Sequence, residues 1–401
     1  MTDLVAFYKD LHQHPELSFE ERRTAQAVHR VLAATGASIR EGVGKTGLVV
    51  TLENGPGPVV WLRADMDALP LEEKTGLDYA STVGGASAVM HACGHDMHVT
   101  WLVGAVEQLA ATTAEWSGTV VAIFQPAEEV AQGAQAMVDD GLVALAPHPD
   151  VVLGQHVSPL PAGSISVTSG AAMAGVDVMS VMFHGRGGHG SRPETTIDPV
   201  VTAASFVTRL QSIVSRNVPP GSLAVVTAGM LQAGTKSNII PDESLVGISM
   251  RSVDPAVRTT MMNGVSRLAR GEAIAAGMVH EPTVELTESA APTVNDPESA
   301  ERVRAAFARH FGDKQVVDLG TVSGSEDVAV LAKAAQAPLV FWITGGSDPA
   351  AFAAAEEAGT VDETVPSNHS PYFAPVLDPT IRVGVDSLVI AAREWLSPAT
   401  S

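Results

Sequence analysis

Short apolar runs alternate with helical stretches along this chain, and the alternation changes character once before it returns. "VVWLRAD" (59–65), "TVVAIFQ" (119–125) and "DVVLGQHV" (150–157) are partly β-branched and end in polar residues. Between the first two lies "HVTWLVGAVEQLAATT", with helical spacing at Leu102, Val106 and Leu109. The pattern predicts an α/β sheet buried on both faces. Upstream, "SFEERRTAQAVHRVLAATG" reads as a helix. Ser18 and Glu21 form a capping-box pattern at its start, and Gly36 closes it.

Near residue 176 the periodicity shifts. "VDVMSVMFHG" alternates as a half-exposed strand does. A helix follows ("DPVVTAASFVTRLQSIVSR"), then strands at "SLAVVTAGMLQ" and "ESLVGISMRS", a helix over 254–276 and a strand at "TVELTE". That β-α-β-β-α-β order resembles a ferredoxin-like α+β domain. After about residue 288 the α/β character returns, with a helix at 297–311, the strand "PLVFWIT" and a helix after Asp378. The expected architecture is a discontinuous α/β domain (1–175 and 289–401) carrying an inserted domain (176–288).

Composition narrows the function classes. With 45 acidic and 24 basic residues the net charge is −21, which argues against a nucleic-acid partner. No uncharged apolar run approaches the roughly 18 residues that span a bilayer. The first residues lack a basic segment followed by an apolar one, so no signal peptide is expected. A single cysteine excludes an internal disulfide and fits a reducing compartment. A soluble cytoplasmic protein is expected.

That cysteine, Cys93, lies in "MHACGHDMH" (90–98), beside His91, His95, Asp96 and His98. Thiolate, imidazole and carboxylate together are transition-metal ligands. Two other motifs mislead. "GVGKTG" (42–47) lacks the earlier glycine of a phosphate-binding loop, because Ile39 holds that position. "GRGGHG" (185–190) is followed by Ser191-Arg192-Pro193 rather than by a helix, so it is no dinucleotide site. Further ligands are expected at the carboxyl ends of strands. Asp65 and Asp67 follow the first run, Glu128 and Glu129 the second, and His156 lies in the third. His369 stands in the late loop "SNHSPYF". One ion would leave most of these groups without a role, so the count favours two.

The motifs "RADMDALP", "HACGHDMH", "QPAEE", "GQHV", "GGHGSRP", "NIIPDE" and "SNHSPYF" occur in the order found in the M20 metallopeptidase family. The chain resembles its amidohydrolase branch, with the hippurate hydrolases, auxin-conjugate hydrolases and N-acyl-amino-acid aminoacylases. The resemblance runs from "LHQHPELSFEE" to "NHSPYFAPV"; "YFAPVLDP" departs from the acidic stretch that often follows the phenylalanine in relatives. It implies hydrolysis of N-acyl amino acids by two divalent ions, zinc or manganese, with cobalt or nickel also accommodated. The ions would be held by Cys93, His95, Glu129, His156 and His369. Glu128 would be the general base, and Asp67 would orient a ligand histidine. Asn238 and Arg251 would meet the substrate carboxylate. A homodimer forms through the inserted domain in this reading, with His189 reaching the neighbour's site. His91, His98 and Asp96 are expected to be structural or to support ligands. A dipeptidase or carboxypeptidase of the same family is the nearest alternative, and a non-catalytic metal-binding protein the more distant one.

Overall fold

The computed structural model describes residues 1–396. They form two compact units. The first comprises Met1–Ala172, Thr293–Thr321 and the chain from Asp327 on; the second comprises Met173–Pro292 with Val322–Glu326. Among the described residues no helix is long and apolar enough to cross a membrane.

The first unit is built on an eight-stranded mixed sheet. Its amino-terminal strands are β1 (Ser38–Val43), β2 (Gly47–Asn54), β3 (Val59–Asp65), β4 (Gly118–Gln125) and β5 (Val151–Pro161). The sheet runs β1-β2-β4-β3-β5, then Leu339–Ser347, Ile165–Ser166 and Val316–Val317. β4, β3, β5 and Leu339–Ser347 are mutually parallel, whereas β1 and β2 are antiparallel additions at one edge. All but the first residue of β3 are buried, as a strand covered on both faces requires. Helices α1 (Leu4–Gln13), α2 (Arg22–Leu32) and α3 (His95–Ala111) contribute to one continuous apolar core with the sheet and the last helix, Thr380–Leu396. Helix α3 is buried almost all round, from His95 to Val106 and again at Leu109. That explains why its apolar stripe is indistinct in the sequence.

The capping box expected at Ser18 and Glu21 does not form. Helix α2 begins at Arg22, and no side chain caps it from Glu21. Ser18 bonds Asp67 instead, and Glu21 bonds the backbone of Phe19 and Ala127. Tertiary partners win both side chains from the local cap. Gly36 does adopt the left-handed conformation expected at the end of this helical segment, with φ 80°.

The second unit holds a four-stranded antiparallel sheet in the order Ala224–Ala233, Glu243–Ser252, Gly175–His184, Thr283–Ala290. The helices Pro199–Asn217 and Pro255–Ala275 pack on each other and on the sheet. Along Gly175–His184 buried and half-buried residues alternate strictly, matching the period-two signal. Asp198 and Asp254 each cap the helix that follows, accepting from Val200 N and Ala256 N.

Candidate active site

The carboxyl ends of β3 and β4 deliver the carboxylates. Just beyond β3, Asp67 is fully buried and accepts four hydrogen bonds. These come from Ser18 Oγ at 2.7 Å, from the amides of Glu128 and Glu129 at 3.0 Å each, and from His95 Nδ1 at 3.2 Å. Burial would raise its pKa. The hydrogen bond and charge of His95 outweigh that and hold Asp67 below the ordinary carboxylate value. The same bond places a proton of His95 on Nδ1 and turns Nε2 toward the pocket, where it can take a second proton or a metal.

His95 Nε2 faces three carboxylates. His95 Nε2 lies 3.6 Å from Asp65 Oδ2, 3.8 Å from Glu129 Oε1 and 3.9 Å from Glu128 Oε2. None is close enough for a hydrogen bond. His95 Nε2 and Glu129 Oε1 are both buried without a hydrogen-bond partner. Such orphans are costly unless something else satisfies them. Burial pushes Glu129 up to about 7. Burial works against charge on His95 too, but Asp65 and then Cys93 outweigh it and raise its pKa well above normal. The His95 shift reflects the negative charge around its ring, which favours a cation there, whereas the Glu129 shift reflects burial.

Helix α3 begins at His95, directly after Cys93 and Gly94. Gly94 has φ 86°, and a β-carbon there would collide with Val157 on β5. Glycine thus lets the cysteine loop press against the strand that carries His156. Cys93 Sγ is 3.4 Å from His156 Nε2. The other ring nitrogen of His156 donates to the Val157 carbonyl at 2.6 Å, so Nε2 keeps its lone pair toward the sulfur. Burial, followed by the charge of Glu129, pushes the Cys93 thiol well up. His369 enters from the late loop with φ 68°, and its Nε2 is 3.4 Å from Glu129 Oε2. One ligand atom each from Cys93, Glu129 and His369 lie within 4.8 Å of one another, as do atoms of His95, Glu128 and Glu129. Glu129 is common to both groups.

Seven residues anticipated from sequence, Asp67, Cys93, His95, Glu128, Glu129, His156 and His369, therefore meet in the first unit. The other three lie in the second. His189 and Asn238 are neighbours there: His189 pairs with Ile239 in a two-residue ladder, and Gly190 N donates to the Asn238 carbonyl at 2.8 Å. Arg251 is the penultimate residue of the strand Glu243–Ser252 and donates to Ser325 Oγ at 2.8 Å.

The remaining cluster residues divide. His98 spends both ring nitrogens on protein, with Nδ1 donating to Asp65 at 2.5 Å and Nε2 accepting from Val157 N at 2.8 Å. It supports β5 beside His156 and has no lone pair for a metal. Asp96 supports no ligand directly; it pairs with His12 Nδ1 at 2.6 Å. His91 is buried, burial holds it neutral with a pKa near 4, and neither ring nitrogen has a hydrogen-bond partner.

Sequence reasoning passed over several residues that hold the site together. Arg63, fully buried, donates to Asp65 at 2.8 Å, Gln125 at 2.9 Å and Asp327 at 3.1 Å. A charged residue inside an apolar strand was the available signal. Asn368 donates to the carbonyls of Cys93 and Val157, tying the His369 loop to both ligand-bearing segments. Its signal was its place next to His369.

The sequence profile of Peptidase family M20/M25/M40 matches residues 61–369. N-acetylcysteine deacetylase of Bacillus subtilis (strain 168) is 36% identical over 366 residues, which cover 90% of this chain and 94% of that protein. Hippurate hydrolase of Campylobacter jejuni is 40% identical over 306 residues, 76% of this chain and 78% of that one. Among solved structures, Bacillus subtilis YXEP protein, described as a dinuclear metal binding peptidase from the M20 family, is similar with a TM-score of 0.77. It is 30% identical, with 97% of this chain and 96% of that chain covered. A profile match across most of the chain, with relatives of this identity and coverage, shows that the chain belongs to Peptidase family M20/M25/M40.

Proposed function

We propose that this chain is a metal-dependent amidohydrolase that cleaves the amide of N-acyl amino acids to a carboxylic acid and a free amino acid. The orphaned pair, His95 Nε2 facing Glu129 Oε1, carries the reading. A buried imidazole nitrogen and a buried carboxylate oxygen that face each other without a hydrogen bond suit a shared cation. The names of the deacetylase and the hippurate hydrolase favour an acyl amide over a peptide.

Cys93, His95, Glu129, His156 and His369 would hold two divalent ions. Thiolate favours zinc, and the nitrogen and oxygen donors also accept manganese, cobalt or nickel. When bound, such ions polarise a carbonyl and lower the pKa of water from about 15.7 to about 7. Glu128 takes the proton of the attacking water and delivers it to the leaving amine as the C–N bond breaks. Asp67 holds the amides of Glu128 and Glu129 and the ring of His95, so one carboxylate sets both the base and two ligands. His189 is suited to the oxyanion. Its Nδ1 accepts from Ser191 N at 3.1 Å, which leaves the proton on Nε2 as a donor. Asn238 and Arg251 would receive the carboxylate of the amino acid.

The second unit is read as a ferredoxin-like lid and dimerisation domain, with functional boundaries at 176–288 inside a catalytic domain of 1–175 and 289–401. Its strand order and two packed helices support this. The working form is a cytoplasmic homodimer.

Glu128→Gln tests the assignment. Turnover should fall on the order of 10²–10⁴-fold, while metal content by mass spectrometry stays at the wild-type value. Near-normal turnover, or loss of metal, would remove Glu128 from the base role. Acetyl, benzoyl and dipeptide substrates compared side by side separate the acylase from a dipeptidase or carboxypeptidase.

A further inference from the structure

The Pro126–Glu129 turn is held by two buried carboxylates. Asp67 takes the amides of Glu128 and Glu129. The amide of Ala127, immediately before the base, donates at 2.8 Å to Glu21 Oε1. Glu21 is fully buried and lies 106 positions away in sequence. Its Oε1 also accepts from Phe19 N at 2.9 Å, and its Oε2 accepts from Thr46 Oγ at 2.5 Å. Thr46 belongs to "GVGKTG", the segment that lacks the first glycine of a phosphate-binding loop.

The backbone around this carboxylate is strained. Ala127, Phe19 and Lys45 all have positive φ, at 51°, 65° and 78°. Such conformations are uncommon for non-glycine residues and persist only where surroundings over-determine them. At Ala127 the left-handed turn aims three successive N–H groups at Glu21 and Asp67. Phe19 and Lys45 pack together, with the Lys45 ammonium 3.6 Å from the centre of the Phe19 ring. Two loops that lie beside the strand ends, one tied to Asp67 by Ser18 and the other leading into β2 next to β4, are thus joined to the turn through Glu21.

We infer that Glu21 is a positioning residue for the reaction: with Thr46 as its anchor, it fixes the left-handed Ala127 from which Glu128 reaches the substrate. Glu21 touches no reacting atom. The inference rests on Glu128 as the base. A displacement of about 1 Å at a catalytic group can cost on the order of 10²-fold in rate, so a side chain that holds the turn has a measurable effect on kcat.

Glu21→Ala removes the clamp, and Glu21→Asp shortens it by one methylene. Glu21→Gln restores it, because the amide oxygen can accept from Ala127 and Phe19 while the NH₂ donates to Thr46. Glu21→Ala should lower kcat by on the order of 10- to 100-fold, with KM within about three-fold and metal content unchanged. Glu21→Gln should recover most of the loss. A readout independent of turnover is hydrogen exchange in the metal-free protein. Glu21→Ala should speed exchange at residues 127–129 and leave β3 and β4 protected. If Glu21→Ala does not fold, Glu21→Asp carries the test with the same readouts and a smaller loss. Wild-type kcat and exchange in the shortened or truncated variant would overturn the proposal. So would a Gln variant as impaired as Ala, or exchange that rises equally in β3 and β4, since either marks a general packing role. If the wild-type protein hydrolyses no amide at all, the functional reading falls, and exchange at the turn still decides whether Glu21 holds it.

Discussion

Asp67 does more than any other single side chain at this site, although it is expected to touch neither metal nor substrate. Four donors converge on its two oxygens, and no other common side chain accepts four bonds in that geometry. Asparagine has nearly the same shape but turns one oxygen into a donor. In Asp67→Asn an NH₂ group would face backbone amides or the Ser18 hydroxyl, and the turn would shift to relieve the clash. His95 would also lose the charge that fixes its tautomer. Changes to the groups behind metal-bound histidines typically weaken binding by about 10–100-fold. Asp67→Asn should therefore lower metal affinity by that factor in a chelator competition, and turnover should recover in part when metal is in excess. Full wild-type affinity would show that the His95 orientation is held by other means.

Elements whose signal is local were legible in the sequence, and those decided by distant partners were not. β3 spans the residues anticipated for it, as does the helix Pro297–Phe311, because apolar periodicity and an Asp-Pro start suffice there. The four strands and two helices of the second unit were anticipated within a few residues for the same reason. Helix α1 and strands β1 and β2 were missed. β1 is mostly exposed, with a single buried residue, and carries little apolar signal. The buried face of α1 includes His12, which reads as polar. The ligand residue types could be read from strand ends, but their supports could not: each of Glu21, Arg63 and His12 has partners more than 60 positions away, out to 264 for Arg63 and Asp327. His12 joins α1 to the start of α3, with Nδ1 bonded to Asp96 and Nε2 3.2 Å from Glu73. Burial disfavours its charge, but Asp96 and Glu73 outweigh that and raise its pKa to about 10. Below the unfolded-state value near 6.5 both states hold the proton, and the stabilisation is complete. As pH rises toward 10 the unfolded chain releases the proton first, so stability declines. The wild-type denaturation midpoint should fall between about pH 6.5 and pH 10, and His12→Gln should lack that component of the slope. Glutamine would also leave two carboxylates without their cation, a loss of about 3–5 kcal/mol in comparable buried pairs. Parallel pH profiles for the two proteins would show His12 to be neutral in the fold.

At the scale of the whole molecule, the proposed reaction needs groups from both compact units, with the base and metal ligands in one and His189, Asn238 and Arg251 in the other. The segment bearing His189 is ordered rather than a loose surface loop. The His189–Ile239 pairing, the Gly190–Asn238 bond and the Ser191 contact to Nδ1 fix both the ring and its tautomer. The exposed imidazole is thus a prepared donor. Loss of one oxyanion donor costs about 2.7–4 kcal/mol of transition-state stabilisation. His189→Ala should then lower kcat by about 10²–10³-fold without releasing metal, because the site's proposed ligands all lie in the other unit. Whether the donor serves its own chain or the neighbour's is decided by mixing. Glu128→Gln protein and His189→Ala protein are each inactive by expectation. In a mixed dimer with His189 acting across the boundary, the Glu128→Gln chain supplies an intact His189 to the site that retains Glu128. One of the two sites is then complete, and activity should return toward half the wild-type value per mixed dimer. With His189 acting in its own chain, each site keeps one defect and the mixture stays inactive. Subunit exchange is verified separately with differently tagged chains, so an inactive mixture that contains verified mixed dimers rules out the cross-subunit role.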